Sequence, residues 1–249
     1  MSDGLVVLTA GLSHKGLVRD GNEDAWLARP EIGLWAVADG MGGHERGDVA
    51  SAAIVAALAR LPPPADARAH LRGVEAALQA AHAELQALAA RAETICGSTV
   101  AALLAFDRHY VVLWAGDSRI YRLRAGRLEQ LTRDHSLVQA MVEAGELTPE
   151  AAASHPWRNR ITRALGMPGL LELAGAPGEL LAGDRFLLCT DGLTAHVGDA
   201  VLAGSLATAD PGTAARALID ATLAAGATDN VTVVVLAASD PGLTWPGVR

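Results

Sequence analysis

The sequence predicts an α+β fold in which helices pack outside antiparallel sheets. Residues 48–61 and 66–91 are long, alanine-rich stretches with apolar side chains at helical spacing. Residues 98–131 instead break into short strand-like runs joined by tight turns, the pattern of consecutive antiparallel strands. Strands and helices also come in blocks, without the βαβ alternation that builds a parallel sheet.

In chain order, residues 5–11 read as the first strand. A polar segment over 13–24 combines Arg19 with the adjacent acids Glu23 and Asp24, then returns to a strand at 25–28. Arg29-Pro30-Glu31 turns into a strand over 32–38, which is expected to break at Asp39 and the glycines that follow it. Helix 48–61 sets Val49, Ala53, Ile54, Ala57 and Leu58 at helical spacing and stops at Pro62-Pro63-Pro64, and helix 66–91 aligns Leu71, Val74, Leu78, Leu85 and Leu88. Both read as core-packing helices without site chemistry. Strands follow at 98–106, 110–115 and 119–123, and Ala125-Gly126 makes a hairpin turn into 128–131. A short helix over 136–144 ends at Gly145, and Thr148-Pro149-Glu150 starts another inside a less regular region, 146–169. The strand at 185–190 ends in Asp191-Gly192. A helix over 211–225 leads to Asp229-Asn230 and a last strand at 231–237. With no repeat and no linker, one domain over 1–240 and a loop-like tail over 241–249 are expected.

Half of the 249 residues are hydrophobic, ample for a core. No apolar run approaches the roughly 20 residues that span a bilayer, and no basic-then-apolar leader opens the chain, so a cytoplasmic protein is expected. A net charge of −8 argues against a nucleic-acid binder, which would carry a basic face. Cys96 and Cys189 each sit in or beside an apolar run and read as reduced and buried. The eight histidines are scattered, and no Cys or His grouping has zinc spacing.

Four aspartates stand at strand boundaries: Asp39-Gly40, Asp117-Ser118, Asp191-Gly192 and Asp229-Asn230. Singly, each has a turn explanation. Gathered at one rim of a stacked-sheet core they would raise one another's pKa unless cations neutralised them. Such a cluster implies bound divalent metal, and oxygen ligands favour Mg²⁺ or Mn²⁺ over Zn²⁺.

A set of motifs then occurs in order: Arg19-x-x-Asn22-Glu23-Asp24, Val37-Ala38-Asp39-Gly40-Met41-Gly42-Gly43-His44, Gly97-Ser98-Thr99, Ala115-Gly116-Asp117-Ser118-Arg119, Leu131-Thr132-Arg133-Asp134-His135-Ser136, Thr162-Arg163-Ala164-Leu165-Gly166, Leu188-Cys189-Thr190-Asp191-Gly192-Leu193 and Ala227-Thr228-Asp229-Asn230-Val231-Thr232. From about residue 13 to 236 the chain resembles the PPM family of metal-dependent (type 2C) protein serine/threonine phosphatases, in its bacterial single-domain form. The resemblance implies a four-layer αββα sandwich, two stacked antiparallel β-sheets flanked by helices. It implies two Mn²⁺ or Mg²⁺ ions bridged by Asp39, with the Gly40 carbonyl on one and Asp191 and Asp229 on the other. Glu23 and Asp24 match acids that hold metal-bound waters or stand behind the ligands, and Asp117 matches the ligand of a third, weaker cation. Arg19 matches the phosphate-binding arginine, so Arg19 and Asp39 are the expected catalytic pair.

The implied reaction is hydrolysis of phosphoserine and phosphothreonine by direct attack of a metal-activated water, with no role for either cysteine. The implied partners are a phosphorylated protein substrate and a cognate Ser/Thr kinase. No nucleic acid or membrane is implied, and a monomer is expected. Eukaryotic relatives place a histidine after the Asp-Gly pair, where this chain has Met41. His44 is left out of the catalytic set, a metal-bound water being the other source of the proton. His14 stands where many bacterial members carry an aspartate. Residues 146–159 correspond to the family's variable flap. Two other readings are a catalytically silent module of the same fold and a phosphatase of anti-sigma-antagonist regulators.

Overall fold

The computed structural model describes residues 5–42, 46–208 and 210–241. His44 and all but the first residue of the 241–249 tail lie outside the described residues.

The strands are β1 (Val6–His14), β2 (Asp24–Arg29), β3 (Leu34–Gly42), β4 (Cys96–Ser98), β5 (Val100–Phe106), β6 (His109–Ala115), β7 (Arg119–Arg124), β8 (Arg127–Gln130), β9 (Ala174–Glu179), β10 (Arg185–Cys189) and β11 (Val231–Ser239). One antiparallel sheet runs β1-β11-β10-β7-β8. The other runs β2-β3-β5-β6-β9, with β4 paired to the far end of β3.

Period-two alternation explains how these strands stack. In β3, Leu34, Ala36 and Ala38 face helices α1 (Gly47–Ala59) and α2 (Ala67–Ala92), whereas Trp35 and Val37 face the other sheet. In β11, Val231, Val233 and Val235 face α6 (Asp199–Leu206) and α7 (Pro211–Ala224), whereas Val234, Leu236 and Ala238 point inward. Both faces are buried, so these strands read as continuous apolar runs. The result is helix, sheet, sheet, helix, with three apolar cores between the layers. The remaining helices, α3 (Leu137–Glu143), α4 (Pro149–Ala153) and α5 (Asp191–Thr194), are short and lie in the connections.

Several expectations are corrected. β3 does not break at Asp39: it continues through Gly42, because Gly40, Met41 and Gly42 pair with Ser98, Gly97 and Cys96 of β4. The single strand expected over 98–106 is two, interrupted at Thr99, whose N–H donates to the Asp39 carbonyl at 2.9 Å. β9, with its sequence Ala-Gly-Ala-Pro-Gly-Glu, and α6 carried no recognised pattern and are additions. α1 and α2 are not only core helices, as the site makes plain.

Candidate metal centre

Asp39 and Asp24 are directly opposed in the β2–β3 pair, so their side chains share a face. Alternation puts Asp39 on the side of Trp35 and Val37, at the rim of the gap between the sheets. Across that gap β10 ends and Asp191 opens α5, while Asp229 immediately precedes β11. Neighbouring strands of one sheet thus deliver Asp191 and Asp229 side by side. Asp191 and Asp39 lie close enough to shift each other's ionisation.

The electrostatics record this convergence. Burial pushes the Asp39 carboxyl well above the usual carboxylate range, and Asp191, Asp24, Asp117 and Asp229 push it further. Burial, then Asp191 and Asp134, raise Asp117 to about 8. Asp24 is raised to about 7, mainly by burial, although hydroxyls of Thr232 and Thr190 work against the shift. Asp191 is raised by burial and by Asp229, and Glu23 by burial and by Asp48. Asp24 Oδ2 accepts a hydrogen bond from Thr190 Oγ1 at 2.8 Å, but its Oδ1 is buried with no partner among the described residues.

Arg19, exposed on the loop between β1 and β2, donates from Nη2 to Asp229 Oδ2 at 2.7 Å. That loop is held by Asn230. The Asn230 Oδ1 accepts from Glu23 N–H at 2.7 Å, and its Nδ2 donates to the carbonyls of Lys15 and Gly21 at 2.9 and 2.8 Å. Gly16 sits at φ +78°, and a side chain there would strike the Asp229 carbonyl, so only glycine lets the loop lie this close. Gly40 is similarly hemmed in by the carbonyls of Gly47 and Glu23, which brings the start of α1 against the site.

Thr99 ties the sheets together at the rim. Its Oγ1 accepts from Asp39 N–H at 3.1 Å and shares a 2.7 Å hydrogen bond with Ser118 Oγ, next to Asp117. Two residues beyond Asp117, Arg119 forks onto Asp134, with Nε–Oδ1 at 2.9 Å and Nη2–Oδ2 at 2.6 Å. On α2, buried His82 accepts from Gly166 N–H at its Nδ1, and Gln86 donates to the carbonyls of Met167 and Gly169. Those residues follow Leu165, whose backbone bridges Ser98 beside the Asp39 strand. Sequence reasoning gave no role to Thr99, Asn230 or His82. The available signal for Thr99 was a polar Ser-Thr pair inside an otherwise apolar strand.

The rim therefore brings together Asp24, Asp39, Asp117, Asp191 and Asp229, with Glu23 and Arg19 alongside. Met41 presents a thioether near Gly97, where no proton is available. His14 takes no part in the cluster: its Nδ1 accepts from Gly16 N–H at 3.0 Å. Hard oxygen donors crowded until they repel, with one buried carboxylate oxygen unpartnered, fit a divalent cation. Among the described residues no three Asp, Glu, His or Cys side chains close on one point.

A family model described as protein phosphatase 2C matches residues 11–230. The chain belongs to the protein phosphatase 2C family. It is 40% identical to the serine/threonine protein phosphatase PstP of Mycobacterium tuberculosis over 233 residues, covering 93% of this chain and 45% of that protein. The chain thus spans about half the length of that relative. Among solved structures, PppA of Pseudomonas aeruginosa, described as a key regulatory component of T6SS, superposes with a TM-score of 0.88 at 41% identity, covering 93% of this chain and 97% of that one. The catalytic domain of PstP in complex with two manganese ions gives a TM-score of 0.83 at 38% identity, covering 95% and 100%. The 2C-type sandwich of two antiparallel sheets flanked by helices is the fold described above.

Proposed function

We propose that this chain is a protein phosphatase that hydrolyses phosphoserine and phosphothreonine monoesters at a pair of Mn²⁺ or Mg²⁺ ions. The observation that carries this reading is the gathering of Asp39, Asp191 and Asp229 beside Arg19 at one rim of a 2C-type fold. Asp39, the Gly40 carbonyl, Asp191 and Asp229 are the residues that would hold the two ions, with Glu23 and Asp24 behind them and Asp117 serving a third. The ions, when bound, supply Lewis-acid activation of water and neutralise phosphoryl charge.

The chain's own groups do the rest. Arg19 offers a planar fork of donors that matches two phosphoryl oxygens; it is exposed, and its Nη2 is paired with Asp229 at the rim. Asn230 fixes the loop from which Arg19 reaches, and Thr99 fixes the backbone of Asp39. Neither cysteine is a nucleophile: both are buried, and burial pushes the Cys189 thiol up to about 12. Residue 41 supplies no proton to the departing oxygen.

The relatives named as bacterial serine/threonine phosphatases support a role opposite a Ser/Thr kinase. Among the described residues no helix is long and apolar enough to cross a membrane, and we place the domain in the cytoplasm. The test is turnover of p-nitrophenyl phosphate and of a phosphothreonine peptide with added Mn²⁺. EDTA should abolish it. Asp191→Ala should lower kcat by about a hundredfold or more while the far-ultraviolet circular dichroism stays unchanged. Full activity in EDTA, or in that variant, would overturn the assignment.

A further inference from the structure

The flap ends in a surface that the metal chemistry does not use. After α4, His155 N–H donates to Ala152 O, Arg158 N–H to His155 O and Arg160 N–H to Trp157 O, all at 3.0–3.1 Å. Trp157 N–H also donates to His155 Nδ1 at 3.1 Å. These consecutive turns make a compact knuckle. On it Trp157 is 43% exposed, with the His155 ring edge-on at 5.4 Å and the Arg160 guanidinium 5.3 Å from the ring centre.

Arg158 and Arg160 are both exposed, and neither has an ion-pair partner among the described residues. The flap's own carboxylates, Glu146 and Glu150, pair with neither; Glu150 is occupied at the start of α4 with backbone and Thr148. Arg163, further on, is already matched to Glu172 at 3.4 Å. Two uncompensated arginines around an open tryptophan stand out on a chain of net charge −8.

The knuckle is tethered close to the metal rim. Ile161 bridges Ser136 and Leu165 bridges Ser98, next to Thr99, which bonds Asp39. Arg160 lies five residues before Leu165, so the two are separated by no more than about 18 Å of extended chain.

We propose that the Trp157–Arg158–Arg160 knuckle is a docking surface for carboxylate side chains of the substrate that flank its phosphorylated position. The arginines supply the charge, and Trp157 carries the Arg160 guanidinium over its ring, so less side-chain freedom is lost on docking. The proposal rests on the phosphatase reading and narrows its substrate class to acidic-flanked phosphoproteins.

The test compares kcat/KM on three phosphothreonine peptides whose flanking residues on both sides carry Glu, Gln or Lys, with p-nitrophenyl phosphate as a fourth substrate. The Glu peptide should exceed the Gln peptide by about fivefold, through KM, and the advantage should shrink in about 0.5 M salt. R158Q/R160Q should level the three peptides, and R158E/R160E should reverse the order in favour of Lys. A wild-type enzyme that treats the peptides alike, or prefers Lys, overturns the docking surface. p-Nitrophenyl phosphate separates the two failures. Without its turnover the phosphatase reading falls and takes the docking surface with it, whereas turnover without peptide preference removes the docking surface alone.

Discussion

Asn230 commits its whole side chain to backbone groups of a loop that lies 207 to 215 positions away in sequence. Its side chain is buried while the bonds themselves are part-buried, and losing them leaves Glu23 N–H and two loop carbonyls without these partners. Asn230→Ala should cost about 2 kcal/mol in urea denaturation, the order expected for buried polar groups left unsatisfied. It should also raise KM for phosphoryl substrates, because the loop that aims Arg19 loses its anchor. Unchanged KM and stability would show that the loop is held elsewhere. The Asp229-Asn230 pair was visible in the sequence as a turn, and the family resemblance explained only its first member. What Asn230 does was not legible, because its partners are set by tertiary proximity.

At the scale of the element, α2 shows where periodicity succeeds and where it stops. Its leucine stripe correctly marked the buried face, since Val74, Leu78 and Leu85 are fully enclosed. The same stripe buries His70 and His82, two polar residues that an apolar count passes over. His82 is satisfied by the loop it clamps, but neither ring nitrogen of His70 has a partner among the described residues. Burial holds His70 below the ordinary histidine range. The unfolded chain therefore takes up the proton first. Stability is complete above the unfolded value near 6.5 and is lost as pH falls through the lower, folded one. His70→Leu removes this liability without leaving a hole. Its Tm should match or exceed that of the wild type at pH 7.5, and its advantage should widen towards pH 5. Thermal melts with parallel pH profiles for the two proteins would contradict this. The missed elements have equally physical reasons. β3 runs on through Gly40 and Gly42 because β4 supplies hydrogen-bond partners from more than 50 residues away, whereas local propensity marks those glycines as an end. β9 is rich in glycine and proline and is tolerated at a sheet edge.

For the whole molecule, the block order of strands and helices foretold the layered architecture, and the Asp-Gly and Asp-Asn punctuation located most of the rim. The energetic consequence of that rim is clear only in three dimensions. Asp39 and Asp24 come from one sheet, Asp191 and Asp229 from the other, and Asp24, Asp191 and Asp229 all push the buried Asp39 carboxyl up. Folding thus forces like charges together across the seam of the sandwich, and a cation bound there would join the two sheets as well as serve chemistry. Two results should follow. Mn²⁺ at about 100 times its dissociation constant should stabilise the fold by about 2.7 kcal/mol, a Tm rise of about 5–10 °C for a chain of this size, reversed by EDTA. In EDTA, Asp39→Asn should melt above the wild type, because folding no longer has to bury or protonate a carboxylate there, yet it should lose most of the Mn²⁺-induced rise. Differential scanning fluorimetry of both proteins, with and without Mn²⁺, measures the two effects together. An Asp39→Asn protein that is less stable than wild type in EDTA, or that responds fully to Mn²⁺, would mean that the cluster is not held under charge strain at Asp39. The crossing of the two melting orders is the signature of a site that gives up stability to bind its ions.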